Sequence, residues 1–346
     1  MVIPYFLALL LVIGWIYFEN QALNRRAFWI PLFILAIFPG IRSSKVGTDT
    51  ENYTYNYGFN TDKIYYDFND NVEKGYQLLD YFILNFSNNY FWLLFLTAFF
   101  IVFSYLRLIK YYSLNYMFSV LLFITLGLYT FLFNGLRQAL AMAIMTYSVK
   151  YLLEKKMIAY FIVCFFASAF HISALIMIPF YFLVNLKIKS SYKVILVGLG
   201  SFIVSSQFIK YMAQGNERYE AYTEGGEVRG IYTLGFYIAI AIFIFLANIK
   251  YKIADEFSIK LSELYYMGIV MIIPVALFGT NPSGPQRIMS YFIWPILFLL
   301  PFIFKKINNT FITLFFVILC MVYYFLTVMN FSDLVPYSLN PNLKFF

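Results

Sequence analysis

The sequence of 346 residues predicts an all-α polytopic integral membrane protein with about twelve transmembrane helices. Three observations support this fold class. Hydrophobic residues make up 62% of the chain, charged residues make up only 12%, and apolar runs recur along its whole length. Soluble globular domains carry about twice that share of charge, so the composition excludes them. We expect one transmembrane domain over residues 1–346.

The apolar runs, separated by polar breaks, approach the length that a hydrocarbon core requires. They fall at 2–18, 28–41, 90–106, 116–133, 138–153, 157–170, 172–186, 193–209, 231–248, 264–279, 288–304 and 310–328. Several are shorter than twenty residues, which predicts broken or re-entrant helices. The first run has no basic segment before it and no small-residue cleavage site, so we expect it to be retained rather than cleaved as a signal peptide.

The distribution of charge predicts the orientation of these spans. If alternate loops face the cytoplasm, the inner loops carry 15 basic and five acidic residues, and the outer loops carry 10 and 12. This asymmetry follows the positive-inside rule. It requires that 157–185 form a helical hairpin, and it places both termini and two larger loops, 42–89 and 210–230, outside. The net charge of +8 therefore reflects topology, and nucleic acid is not an expected partner.

A polar segment over residues 40–53 follows the second span directly. It contains Arg42, Lys45, Asp49 and Glu51 in a chain that otherwise avoids charge. Charges at the rim of a membrane domain are costly to desolvate, so such a cluster indicates a functional site. The alternative is an ordinary polar loop.

Three further span ends on the predicted outer face carry Arg137, His171 and Arg287. Guanidinium groups form fixed forks that suit bidentate contact with phosphate. Arg42, Arg137 and Arg287 facing one cavity would suit a diphosphate headgroup. The alternative for each arginine is snorkelling at the interface or a bond to a carbonyl at a helix end.

The sole histidine, His171, titrates near neutral pH and is a candidate base for a sugar hydroxyl. Asp49 and Glu51 compete for that role, and a purely structural histidine is the alternative. Gln138, Tyr53 and Glu51 are candidate glycan contacts, although tyrosines are also common at any membrane interface. One histidine, with Cys164 and Cys320 inside apolar runs, makes no zinc site, and we predict neither a metal nor a cofactor.

At these residues the chain resembles the EpsG family of Wzy-type polysaccharide polymerases. The pieces that carry the resemblance run in family order from residue 40 to 337. They are Gly40–Ser43, Val46–Thr50, Tyr53, Arg137–Ala141, Phe170–Ile176, Arg287–Phe292 and Val335–Tyr337. Each piece is short, and their joint order on one predicted face makes the match specific.

The resemblance implies a GT-C-like glycosyltransferase in the bacterial cytoplasmic (inner) membrane. Its substrate would be an undecaprenyl-diphosphate-linked oligosaccharide, polymerised on the extracytoplasmic face without a nucleotide sugar. The product would be O-antigen, capsule or exopolysaccharide, and a chain-length regulator protein is a further candidate partner beside membrane lipid. Carried over to this chain, Arg42, Arg137 and Arg287 would hold the diphosphate, and His171 or Asp49 would deprotonate the acceptor.

Two other classes of protein compete with this interpretation. A flippase or transporter for lipid-linked oligosaccharides would favour charges within mid-span helices, and the spans here are nearly free of charge. A membrane acyltransferase using His171 would need a site that a cytoplasmic acyl carrier can reach, which disagrees with the predicted topology.

Overall fold

The computed structural model describes residues 2–58, 66–214, 229–277, 284–330 and 333–343, without side-chain detail for 205–214. Over these residues the protein contains helices and a single isolated antiparallel bridge, and no strand. The prediction of an all-helical protein is confirmed.

Fifteen α-helices follow one another in the described residues. They are α1 (Ile3–Leu23), α2 (Trp29–Gly40), α3 (Thr50–Thr54), α4 (Lys74–Phe86), α5 (Phe91–Tyr112), α6 (Tyr116–Thr125), α7 (Leu136–Met145), α8 (Val149–Leu153), α9 (Met157–Ser168), α10 (Met177–Asn185), α11 (Ser190–Gln214), α12 (Arg229–Lys250), α13 (Glu256–Leu277), α14 (Ile296–Ile307) and α15 (Thr310–Asn330). Short 3-10 segments occur at 55–58, 130–133, 146–148, 172–176 and 285–292.

Every predicted span coincides with a helix or with a pair of helical segments. Six helices in the described part of the chain are long and apolar enough to cross a membrane, or seven if a bent pair counts as one span. Four more apolar helices are shorter, at 10–17 residues. The protein is therefore a multi-pass membrane protein, while twelve spans and a GT-C-like fold stay predictions. The stretch 157–185 forms two helical segments, as expected.

Two of the predicted spans are broken, and each break has a local cause. The span at 116–133 is interrupted after α6, where Gly127 has φ +84°, a conformation that glycine adopts without strain. The bent pair joins the 3-10 segment 285–292 to α14 at an angle of 48°. Pro295 lies in that break; proline has no N–H to continue a helix and disfavours helical geometry before it.

The contacts divide the chain into two compact units. The first comprises residues 1–151, 158–175 and 308–346, and the second comprises 152–157 and 176–307. The expectation of a single domain stays a prediction.

In the first unit, α2 packs along α5 in the antiparallel sense. A Cβ atom at Gly40 would lie 3.0 Å from the Cβ atom of Phe95, so the end of α2 can approach α5 only because residue 40 has no side chain. At the other end of α2, the ring of Phe28 packs 5.5 Å from that of Phe103. This packing fixes the position of the chain that leaves α2 at Ile41.

In the second unit, α11 and α13 share a buried ion pair. The Lys193 Nζ atom lies 2.7 Å from the Glu263 carboxylate, and the Ser190 hydroxyl donates to the same carboxylate. Burial of the two charges is compensated because they are paired and hydrogen-bonded.

The first large loop is folded around α4, whose exposed face is apolar. Leu78 is 58% exposed and Phe82 is 73% exposed, whereas Asp80 on the opposite face is 2% exposed. This arrangement agrees with a helix lying in the membrane interface. The Asp80 carboxylate accepts hydrogen bonds from Tyr57 at 2.9 Å and Tyr66 at 3.0 Å. The second large loop, 210–230, lies largely outside the described residues.

We expect Asp80 to make the stability of the protein depend on pH. Burial raises the pKa of the Asp80 carboxyl above its ordinary value, outweighing its hydrogen bonds. The stabilisation is therefore complete below the ordinary value of about 4 and is lost as the pH rises through the raised pKa. The Tm of the detergent-solubilised protein should fall over that range, and Asp80→Asn should flatten the dependence. An unchanged dependence in that variant, or an equal effect of Asp70→Asn at an exposed position, contradicts the assignment.

Candidate functional site

Arg42 is held in place by the C-terminal segment. It forms an antiparallel bridge with Leu339, and its neighbour Ser43 donates its backbone N–H to the Ser338 carbonyl at 2.8 Å. The Tyr337 hydroxyl donates to the Phe38 carbonyl at 2.6 Å, and its ring stacks on that of Phe38. Two pieces of the chain almost 300 residues apart in sequence thus form one wall.

The Arg42 guanidinium is completely buried, with 0% exposure. Its Nη2 atom donates to the Thr50 hydroxyl at 3.1 Å and to the Phe133 carbonyl at 3.2 Å. The Cζ atom of the guanidinium lies 4.3 Å from the centre of the Phe133 ring. Nε and Nη1 make no hydrogen bond, and no described carboxylate forms an ion pair with this residue. Burial lowers the pKa of Arg42 to about 10, although the group is still charged at neutral pH.

A tight turn at Gly47 brings the Arg42 segment into contact with the start of α7. Gly47 has φ +98°, and a Cβ atom there would meet the Thr50 hydroxyl at 2.8 Å, so only glycine fits. The Thr48 N–H donates to the Asn134 side chain at 2.9 Å. Asp49 follows at the N-terminal end of α3. The segments 40–53 and 134–138, which the sequence placed on one face, are therefore in direct contact.

Arg137 lies at the start of α7 and, unlike Arg42, has an acidic partner. Its Nη1 atom is 2.5 Å from the Glu73 carboxylate, with the two side chains 15% and 16% exposed. The guanidinium also lies 5.9 Å from the ring centre of Tyr76 and interacts with Tyr53. The rings of Tyr53 and Tyr76 pack at 5.8 Å.

The turn that carries His171 is attached to the same acidic residue. The Glu73 carboxylate accepts the backbone N–H of Ile172 at 3.2 Å, and the Gly75 N–H donates to the Ala169 carbonyl at 2.8 Å. The role of Glu73 in connecting Arg137 with the His171 turn is not predicted from the sequence. Nothing in a linear pattern pairs residue 73 with residues 137 and 172, although its position directly before an amphipathic helix marks it as a loop end.

His171 is half-buried, and its Nδ1 atom accepts a hydrogen bond. The Ser173 backbone N–H donates to Nδ1 at 3.3 Å, and the Ser173 hydroxyl lies 2.6 Å from the same atom. A backbone N–H can only donate, so Nδ1 carries a lone pair and the proton of the neutral ring sits on Nε2. In this arrangement the imidazole presents a donor at Nε2.

The first unit therefore contains most of the predicted site residues. Arg42, Asp49, Tyr53, Arg137, Gln138 and His171 lie on connected segments of it, and Glu51 is exposed on α3. Arg287 belongs to the second unit, at the start of the 3-10 segment 285–292; its place in a shared site stays a prediction. Among the described residues no group of three acidic, histidine or cysteine side chains could hold a metal ion.

We expect the Glu73–Arg137 ion pair to support the His171 turn. Removing one partner leaves the other charge in a largely buried position, so Glu73→Gln should lower the free energy of unfolding by roughly 1–3 kcal/mol. Thermal unfolding of the solubilised protein measures this. In a double-mutant cycle with Arg137→Gln, the second substitution should cost much less than the first. Additive losses would mean that the two side chains do not interact.

One family of known proteins matches the chain over the residues that form this site. The model of the EpsG family matches residues 25–339, a range that contains every segment of the site just described. The chain belongs to the EpsG family. No curated protein and no solved structure matches it. EpsG proteins are Wzy-type polysaccharide polymerases, so this EpsG protein is a membrane protein of the polysaccharide-polymerase type.

Proposed function

We propose that this EpsG protein polymerises undecaprenyl-diphosphate-linked oligosaccharide repeat units at the extracytoplasmic face of the bacterial cytoplasmic membrane. The observation that carries the proposal is the state of Arg42. It is a fully buried cation with two nitrogen atoms that lack hydrogen-bond partners and with no ion pair in the described part of the protein.

Such a group is costly unless it serves a ligand. A charge transferred out of water without a partner is strongly disfavoured, and each buried donor left unbonded adds about 1–3 kcal/mol. A phosphate oxygen would compensate both costs because the guanidinium fork matches it. The nearby Tyr337 is neutral, because burial raises the pKa of its hydroxyl, so it does not compensate the charge of Arg42. A diphosphate is therefore the anion that this wall of the site suits.

The transfer that we propose forms one bond and breaks one. The oxygen of an acceptor hydroxyl bonds to the anomeric carbon of the donor glycan, while the bond from that carbon to the diphosphate oxygen breaks. The lipid diphosphate leaves with the electron pair, and Arg42 stabilises its charge, with Arg137 and Arg287 as the further predicted contacts. The hydroxyl proton passes to a base.

We assign the base to Asp49 and a hydrogen-bond donor role to His171. Asp49 comes directly before Thr50, which contacts the Arg42 guanidinium. His171 in its Nε2–H form can donate to an oxygen of the substrate but cannot accept a proton there. Tyr53, Gln138 and Glu51 are the proposed glycan contacts of the same unit.

The proposal can be tested in cells that make and export single lipid-linked repeat units but lack a polymerase. Supplying this chain should convert single units into a ladder of long glycans, visible on a gel, without changing the amount of exported units. Increased export of single units with no ladder would indicate a flippase and overturn the proposal. A cysteine introduced near residue 50 should react with impermeant thiol reagents in intact cells if this end of the protein faces outward.

A further inference from the structure

A cavity of about 1010 Å³ lies in the first unit at the end of α2 opposite to Arg42. The 12 residues of α2 separate the two places by about 18 Å. The charged residues that line the cavity come from α1, the α1–α2 connection, α5 and α8. They are Glu19, Arg25, Arg26, Arg107, Lys110 and Lys150. Five basic groups against one acidic group give this cavity a net positive charge that the proposed polymerisation does not use.

We propose that this cavity binds the phosphate headgroup of an anionic membrane lipid. The ligand is defined by its chemistry: a phosphate carried on acyl chains, held by basic side chains beside aromatic rings. The proposal is independent of the polymerisation site and of which membrane face the cavity occupies.

Among the described residues, the one ion pair formed in the cavity leaves Arg107 and Lys110 without a salt bridge. The one acid, Glu19, pairs with Arg25 at 2.7 Å. In the described part of the chain neither Arg107 nor Lys110 forms an ion pair, although Lys110 lies near enough to Glu19 to act on its carboxylate. Both cations lie over aromatic rings, Arg107 at 4.3 Å from the ring centre of Tyr147 and Lys110 at 5.4 Å from that of Phe28. These two cations are three residues apart on α5, so they project from the same helix face. Two adjacent cations can hold one phosphate group between them.

The rim of the cavity suits a lipid. Trp29 is 60% exposed and Tyr111 is 77% exposed, and both line the cavity. Tryptophan and tyrosine prefer the level of the headgroups in a bilayer. Within the cavity, Phe28 and Phe103 pack edge to face. A site with basic groups beside exposed aromatic rings at a helix end meets the requirements of a lipid with an acidic head and apolar tails, whereas a small soluble anion needs no aromatic rim.

The alternative to lipid binding is that these cations only set the topology of the chain by the positive-inside rule. That role depends on the number of basic residues and not on their arrangement around a cavity. It predicts no lipid binding beyond general surface attraction, so the two explanations differ in a binding experiment.

The experiment uses the full chain purified in neutral detergent, with lipid binding measured by native mass spectrometry. Cardiolipin and phosphatidylglycerol should bind, and phosphatidylcholine should not. Each basic residue near an anionic headgroup contributes about 1 kcal/mol, so Arg107→Ala with Lys110→Ala should weaken binding about thirtyfold. The matched control is Lys305→Ala with Lys306→Ala, which removes the same charge at the end of α14 and should leave binding unchanged.

Several results would overturn the proposal. Equal binding by the Arg107/Lys110 variant, equal weakening by the Lys305/Lys306 control, or equal affinity for phosphatidylcholine would each contradict it. Displacement of cardiolipin by sodium pyrophosphate at the same concentration would show that the cavity takes a soluble anion instead. If the double variant fails to fold, the exposed Lys110→Glu substitution provides the test, because charge reversal should abolish cardiolipin binding while Lys305→Glu should not.

Discussion

Replacing Arg42 by methionine is expected to abolish long-chain glycan while leaving the protein as stable as, or more stable than, the wild type. Removing one preorganised charge donor from a reacting oxygen typically costs about 10²–10³ in rate. The fold loses little, because the Thr50 hydroxyl remains 3.1 Å from the Phe133 carbonyl. A buried charge replaced by an apolar side chain of similar volume is often neutral or stabilising by about 1–4 kcal/mol. If Arg42 binds a ligand, its replacement should lower activity without lowering stability.

The measurements are the length distribution of the glycan in cells and the Tm of the solubilised protein. Lys45→Met is the matched control, since Lys45 lies in the same loop but is exposed and should tolerate the change. Arg42→Lys keeps the charge but loses the fork, so partial activity is expected. If Arg42→Met unfolds the protein or lowers its Tm by many degrees, the arginine is a structural residue and the proposed diphosphate contact is wrong.

Asp49→Asn is expected to reduce polymerisation by about 10²–10⁴, the usual contribution of a general base. The change keeps the shape of the side chain and removes only its ability to take a proton. Membrane expression should be unaffected, and single repeat units should accumulate on their lipid carrier. Asp67→Asn, at an exposed position of the same large loop, is the control and should retain most of the activity.

His171 distinguishes the two assignments of the base. If its Nε2 atom donates a hydrogen bond, His171→Gln should keep a measurable part of the activity that His171→Ala loses, because the glutamine amide also donates there. Ser173→Ala should lower activity as well by weakening the contact that holds the ring in this tautomer. Near-normal activity of Asp49→Asn together with inactive His171→Gln would make His171 the base and reverse our assignment.

The sequence predicted the class of this protein correctly because hydropathy is a local property. Helix formation in a membrane satisfies the backbone within each segment, so the helices of the structure coincide with apolar runs read one at a time. The same local reading found the polar segment 40–53, the Arg137 turn and the His171 turn, all of which lie within the residues 25–339 that the family model matches.

Only the tertiary structure decided which of these residues has a partner. Arg42 and Arg137 look equivalent in sequence, yet Arg137 is paired with Glu73, whereas Arg42 is buried with no carboxylate partner from the described residues. The tautomer of His171 depends on its contact with Ser173, and the position of its turn depends on the hydrogen bond from Ile172 to Glu73. Residues near the C-terminus complete the wall beside Arg42. These contacts join side chains far apart in the chain. Their energies depend on distance, burial and donor geometry, and a linear sequence contains none of those quantities directly.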